Sequence, residues 1–321
     1  MSTRMVDAET LRSSIGFDDL VEPVAQAFAE TSAGLADNGL IVMFPAERRE
    51  LGDVYVKTGR LRGHAVYIVK VSPWFRSNLQ RGQPQGGFVA VFDSETGKTL
   101  ALLNDEHYLS DIRTAAAGAV VARALAPSTV DTVTVLGSGV QAYWQPLALY
   151  RERPFSRLSI WARSMPKAEA LRRRLSDAMP GVEIDCGTDI ETAVRSAEVL
   201  ITATQAREPL VKGQWLRAGA HVTAVGADDA TKCELDATAL RRAKVFVDAR
   251  ATAEANGDVH RAIRAGRYTL DDISGEIGEV ISGQVPGRTA DDDVTVAKLV
   301  GIGAQDLVAA EVALAKLGAD R

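Results

Sequence analysis

The chain has 321 residues, 46% of them hydrophobic, and a formal net charge of -5, enough apolar surface for two separate cores in a globular α/β protein. Acids and bases are interspersed with no basic tail, which argues against a nucleic-acid partner, because phosphate binding needs concentrated Lys and Arg. No stretch approaches the roughly 18 consecutive apolar residues of a transmembrane helix, Met1 to Val21 lacks the apolar core of a signal peptide, and Cys186 and Cys233 are too few for a disulfide framework; no membrane partner and a cytoplasmic location are expected.

The first hundred or so residues alternate short apolar runs with turn signals, as in His64 to Val71 and Gly87 to Asp93, and predict antiparallel sheet. Thr114 to Ala126 is rich in alanine and predicts a long helix that stops before Pro127. From Val130 the rhythm changes to strands at Thr132 to Leu136, Leu158 to Trp161, Val182 to Asp185, Val199 to Ala203, His221 to Val225 and Val245 to Asp248, most of them separated by helical stretches. That is the pattern of parallel βαβ units. A last helix, around Gln305 to Leu317, lies beyond the repeat and is expected to return to the first domain. The resulting fold is α/β: a largely antiparallel α+β domain over residues 1–127, completed by 297–321, and a Rossmann domain over 128–296.

Gly137-Ser138-Gly139-Val140-Gln141-Ala142 matches the dinucleotide fingerprint G-x-G-x-x-G/A, directly after an apolar strand and directly before a helix. Gly137 permits the sharp turn, Gly139 lets the backbone approach a pyrophosphate, and Ala142 lets the helix pack on the strand. An NAD site places a carboxylate at the end of the second strand. Here the strand ends Ile160-Trp161-Ala162-Arg163-Ser164, and a cation with a hydroxyl suits a 2′-phosphate, so NADP(H) is favoured over NAD(H). The alternative for Arg163 is a solvated loop residue. Thr114 and Thr202 complete the set of cofactor-binding candidates with Gly137, Ser138, Gly139, Val140, Gln141, Arg163 and Ser164.

Several segments resemble the ornithine cyclodeaminase and mu-crystallin family: Arg113-Thr114-Ala115-Ala116, the glycine loop, Gly226-Ala227-Asp228 followed by Lys232-Cys233-Glu234-Leu235, and Glu276 to Ile281 with Pro286-Gly287-Arg288. The resemblance implies an NAD(P)-dependent fold whose N-terminal domain forms a homodimer across a two-fold axis, with catalysis in the cleft beside the Rossmann domain. It implies a small amino-acid or imino-acid substrate. Matched residue by residue, Lys70 and Arg113 hold the substrate carboxylate, Asp228 is the catalytic acid, Lys232 follows it, and Arg48 or Arg49 supplies a further basic contact. Two departures from the cyclodeaminase pattern, Gln83-Pro84-Gln85-Gly86-Gly87 and Ala297-Lys298-Leu299, weigh against strict ornithine specificity. The runs Val69 to Pro73 and Tyr108 to Arg113 are closer to a subgroup associated with ectoine breakdown.

Each of these residues also has a purely structural alternative. Arg113 could be a buried ion-pair partner, Lys70 a solvated strand end, and Asp228 an N-cap for the following turn, which Asp229 could serve equally. His64, His107, His221 and His260 lack metal-ligand spacing and are expected to be structural. The leading expectation is an NAD(P)H-dependent reductase of a small α-imino acid, or the reverse dehydrogenase. A redox-neutral cyclodeaminase and a non-catalytic NADP and small-ligand binder of the mu-crystallin type are the alternatives.

Overall fold

Asp7 separates the first strand from the first helix: its carboxylate accepts from Thr10 N at 2.8 Å and so caps α1 (Ala8–Ser14) directly after β1 (Arg4–Asp7). After α2 (Val21–Ser32) come β2 (Ala36–Met43), β3 (Gly52–Leu61), β4 (Val66–Phe75), α3 (Arg76–Arg81), β5 (Phe88–Asp93) and β6 (Thr99–Asn104). The strands form a six-stranded sheet in the order β1-β6-β5-β4-β3-β2, antiparallel except for the parallel pair β1 and β6. This computed structural model describes residues 3–45, 48 and 51–318.

The alanine-rich helix α4 (Tyr108–Leu125) starts before Thr114, where composition alone would begin it. The earlier start is made by Asp105, whose carbonyl accepts from Tyr108 N at 2.8 Å and whose carboxylate accepts from Leu109 N at 3.0 Å. Between them Glu106 and His107 take left-handed backbone angles, φ 48° and 73°, to turn the chain into the helix.

Eight parallel strands follow, in the order β13-β12-β14-β11-β10-β7-β8-β9. Their ranges are β7 (Thr132–Leu136), β8 (Arg157–Trp161), β9 (Glu183–Gly187), β10 (Val199–Thr202), β11 (His221–Ala224), β12 (Lys244–Val247), β13 (Gly275–Glu276) and β14 (Thr295–Lys298). The intervening helices are α5 (Val140–Glu152), α6 (Met165–Ala178), α7 (Ile190–Ser196), α8 (Ala237–Arg242), α9 (Arg250–Ala255), α10 (Gly257–Arg264) and α11 (Ile277–Ile281). The order reverses at β7, as in a doubly wound Rossmann sheet. Six of the eight strands are legible as apolar runs. β13 has two residues, and β14 carries Thr295 and Lys298 among its apolar residues.

The last helix, α12 (Gly303–Lys316), packs on α2, β2, β3 and β4. Its first turn lies against the backbone of β3: a Cβ on Gly303 would meet Thr58 O at 1.9 Å, and one on Gly59 would meet Gly303 O at 2.2 Å. Only glycine permits that approach. The chain divides into one unit of Met1–Ala116 with Ile302–Arg321 and a second of Ala117–Gly301. One division thus falls inside α4 and the other after β14, where composition places them at residues 127/128 and 296/297. The alanine helix runs through without a break, and β14 is hydrogen-bonded within the second sheet.

His221 lies at the centre of that sheet, fully buried, with its ring nitrogens on Thr295 Oγ1 at 2.9 Å and Thr223 Oγ1 at 3.1 Å. Burial first, and the Arg288 cation second, push its pKa down to about 3. The folded ring therefore stays neutral while an unfolded His protonates near its ordinary 6.5. Stability linked to this group is whole above pH 6.5 and is lost as pH falls toward 3, by at most about 1.4 kcal/mol per pH unit. Urea unfolding at pH 7, 6 and 5 should show this slope, and His221→Gln should flatten it by about one proton. An unchanged slope in the variant would remove His221 from the acid sensitivity.

Candidate functional site

The glycine loop of the second unit turns the chain sharply from β7 into α5. Gly137 takes φ 133°, donates its N–H to Trp161 O at 2.8 Å, and lies so close to the next strand that a Cβ would meet Ala203 O at 2.4 Å. Gly139 is the N-cap of α5, and a Cβ there would meet nothing within 4 Å, so open space lies in front of the helix N-terminus. Ala142 is fully buried beneath the loop, while Val140 is exposed and Gln141 accepts from Gln145 Nε2 at 3.1 Å. Ser138 belongs to the same loop. Arg163 is exposed just past β8, and Ser164 is the N-cap of α6 with no side-chain capping bond.

Thr202 is different from the other cofactor candidates. Its side chain is fully buried and its hydroxyl donates to Glu234 Oε2 at 2.8 Å, so the hydroxyl is committed inside the protein rather than offered to a cofactor. Thr114 is half-buried on α4.

Asp228 follows β11 at its C-terminal end, the edge where open α/β sheets bind ligands. Its Oδ1 accepts from Lys232 Nζ at 2.5 Å, and its side chain is about one third exposed, at 35%, against 7% for Lys232. The capping work falls to the neighbour: Asp229 Oδ1 accepts from Thr231 N at 2.6 Å and Lys232 N at 3.0 Å.

Beneath this loop lies a buried network that sequence reasoning missed. Glu234 accepts from Thr204 N at 2.7 Å, Thr204 Oγ1 at 2.8 Å and Gly226 N at 2.9 Å, and so ties the chain after β10 to the chain after β11. Asp258 Oδ1 accepts in turn from the N–H groups of Glu234 and Leu235, at 2.6 and 2.8 Å. Asp258 Oδ2 lies 3.3 Å from Lys298 Nζ, which donates to Ala224 O at 3.2 Å. Burial, followed by the Asp258 charge, pushes the Glu234 carboxyl up. The only signal for Glu234 was its place in Lys232-Cys233-Glu234-Leu235.

In the first unit, Lys70 and Arg113 come together on a third residue. Lys70 lies in the middle of β4, 3% exposed, so it is no solvated strand end. Its Nζ donates to Ser110 Oγ at 2.6 Å and to Asp306 Oδ1 at 2.8 Å. Arg113, one helical turn beyond Ser110 on α4, donates from Nε to the same Asp306 oxygen at 2.9 Å and from Nη1 to Gln305 Oε1 at 3.0 Å. Arg113 is thus the buried ion-pair partner that composition allowed, with the Nη2 end of its guanidinium engaged by neither residue. Burial would raise the Asp306 carboxyl, but Arg113 and then Lys70 hold it down to about 2. Burial lowers Lys70, with the Asp306 charge opposing.

His107 lies beside this cluster, with Nε2 2.7 Å from Pro73 O and 3.1 Å from Ser72 Oγ, and burial pushes its pKa to about 4. Of the other histidines, His64 bridges Glu30 and Glu311, and His260 bonds Glu254 O. Arg48 is exposed, and Arg49 lies outside the described residues. Asp306 and Gln305 fall on a helix with no recognisable motif, and only the packing of α12 brings them to Lys70.

A doubly wound sheet with a glycine cradle at its switch point, joined in the chain to an α+β unit with a buried pair of cations, defines a Rossmann-type dinucleotide-binding protein. The chain belongs to the ornithine cyclodeaminase/mu-crystallin family, whose profile matches residues 1–319. It is 42% identical over 264 residues to an uncharacterized cyclodeaminase of Sinorhizobium fredii, covering 82% of this chain and 80% of that one. Its fold is similar to that of Thermococcus litoralis Δ1-pyrroline-2-carboxylate reductase in complex with NADH and L-proline, with a TM-score of 0.91 and 26% identity over 98% of this chain and 97% of that one. It is also similar to an archaeal alanine dehydrogenase dimer with bound NAD, with a TM-score of 0.90 and 29% identity over 98% and 96%. Among the described residues no helix is long and apolar enough to cross a membrane.

Proposed function

We propose that the protein is an NAD(P)H-dependent reductase of a small α-imino acid, working also in reverse as an amino-acid dehydrogenase. The observation that carries this reading is the retention of both halves of the chemistry: a glycine cradle before α5 and a Lys70–Arg113 cation pair. The open space at Gly139, the N-cap of α5, fits a pyrophosphate. When bound, the dinucleotide supplies or accepts the hydride at the substrate α-carbon.

Lys70 Nζ and the outer end of the Arg113 guanidinium hold the substrate carboxylate by charge-assisted hydrogen bonds. Asp228 holds or delivers the proton on the substrate nitrogen, and Lys232 beside it keeps that carboxylate oriented. The test is a screen of cyclic imino acids, and of 2-oxo acids with ammonia or methylamine, followed by NADPH oxidation. Stoichiometric NADPH loss supports the reductase. Ammonia release from a diamino acid without net NADPH change would replace it by a cyclodeaminase, and ligand binding with no turnover would leave a binding protein.

Asp228→Asn keeps the shape of the side chain but cannot exchange a proton. It should lower kcat by about 10²- to 10⁴-fold while leaving dinucleotide affinity nearly unchanged. A variant within threefold of wild-type kcat would take Asp228 out of the mechanism.

Arg163 and Ser164 stand after β8 where an NAD site carries a carboxylate. NADPH should therefore bind more tightly than NADH in a direct titration, and Arg163→Ala should narrow the difference. Equal Kd values for the two cofactors would overturn the preference.

The first unit also supports a homodimer. The sheet face opposite α2 and α12 carries the cross-strand row Ile41, Val56, Val71 and Phe88, with Ile41 61% and Phe88 38% exposed, and Met5 beyond it 67% exposed. An apolar row of this kind is a surface for a second copy. Sedimentation should give a dimer at micromolar concentration, and Ile41→Asp with Phe88→Asp should dissociate it. A wild-type monomer would refute this.

A further inference from the structure

We propose that Asp306 is the positioning residue of the Lys70–Arg113 clamp: it holds both cations on one oxygen and cancels one of their two charges, so that the clamp accepts a single ligand carboxylate. The inference rests on the carboxylate-binding reading given under Proposed function.

The geometry comes first. Lys70 Nζ and Arg113 Nε converge on Asp306 Oδ1 at 2.8 and 2.9 Å from two different elements, and Gln305, the preceding residue of α12, takes Arg113 Nη1 at 3.0 Å. Ser110 takes a second Lys70 proton at 2.6 Å. The two flexible side chains are thereby reduced to one arrangement each. A long cation held in one rotamer loses less freedom when it meets a ligand, which is what a clamp needs.

Charge comes second. Asp306 is 2% exposed on its side chain, against 4% for Lys70 and 8% for Arg113, so the three groups are screened little by water. Two cations on one carboxylate leave one positive charge in excess. Lys57 and Asp105, one of each sign, also act on this cluster. His107, with its pKa at about 4, adds none at neutral pH. A buried excess charge is costly unless an anion meets it, and one carboxylate on a small substrate meets it in full. A dicarboxylate would bring a second negative charge beside Asp306.

The experiment counts charges with two probes of similar size, propionate and malonate, titrated calorimetrically into the full-length protein without turnover. In wild type, propionate should bind at least as tightly as malonate. Asp306→Asn raises the excess by one charge and should shift the ratio of affinities toward malonate by about tenfold or more. Lys70→Gln removes the excess and should lose most propionate binding, whereas Lys70→Gln with Asp306→Asn restores a single positive charge and should regain it. Rescue by a second deletion is not expected of an ion pair that only holds the fold, so this arm decides the matter even if Asp306→Asn alone fails to fold. An affinity ratio in Asp306→Asn within twofold of wild type, no rescue in the double variant, or no propionate binding by wild type would each overturn the inference. NADPH oxidation by imino acids, measured on the same wild-type sample, separates the two claims. Propionate binding with no imine turnover removes the reaction class and leaves the clamp; imine turnover with an unmoved ratio removes Asp306 alone.

Discussion

Two cations buried on the same face of a sheet cannot remain there without a carboxylate, and in the first unit β4 and α4 supply Lys70 and Arg113 while neither supplies their shared anion. That anion comes from Asp306, 193 residues beyond Arg113. The chain must therefore bring α12 back onto β3 and β4, and the contact between Gly59 and Gly303 is what lets the helix come close enough. Removing a single partner would strand a buried charge, a loss of roughly 3 to 5 kcal/mol. The return of the C-terminal helix, the packing of the sheet and the pairing of the two cations are one requirement seen at three scales.

The second unit solves a related problem with different residues. A doubly wound sheet leaves loose chain at the C-terminal ends of its strands, because ligands bind there and helices cannot cover it. Glu234 draws the chains after β10 and β11 together through four hydrogen bonds, and Asp258 and Lys298 hold Glu234 from below. Gly226 has to be glycine at this crossing, since a Cβ would meet Thr204 N at 2.4 Å. Two residues farther on stands Asp228, and next to it Asp229 caps the following turn.

Family membership and fold similarity narrow the chemistry without naming a substrate. The relatives' names span a reductase, a dehydrogenase and a cyclodeaminase. What would separate them is the remainder of the substrate.

The family resemblance supplied the candidates Lys70, Arg113 and Asp228, while the local pattern of the chain was enough to place six of the eight Rossmann strands, the glycine loop and the alanine helix. Each of these rests on short-range regularities: period, turn chemistry, or a motif of a few residues. The true start of α4 escaped because it depends on the carboxylate of Asp105 and two left-handed residues, which composition does not reveal. β13 and β14 escaped because one is two residues long and the other carries a buried lysine that breaks its apolar run. The burial of Lys70 and of the Thr202 hydroxyl, and the parts played by Asp306, Glu234 and Asp258, were decided only in three dimensions. Their partners lie tens to hundreds of residues away in sequence, and whether a charged side chain is solvated or paired depends on what packs over it.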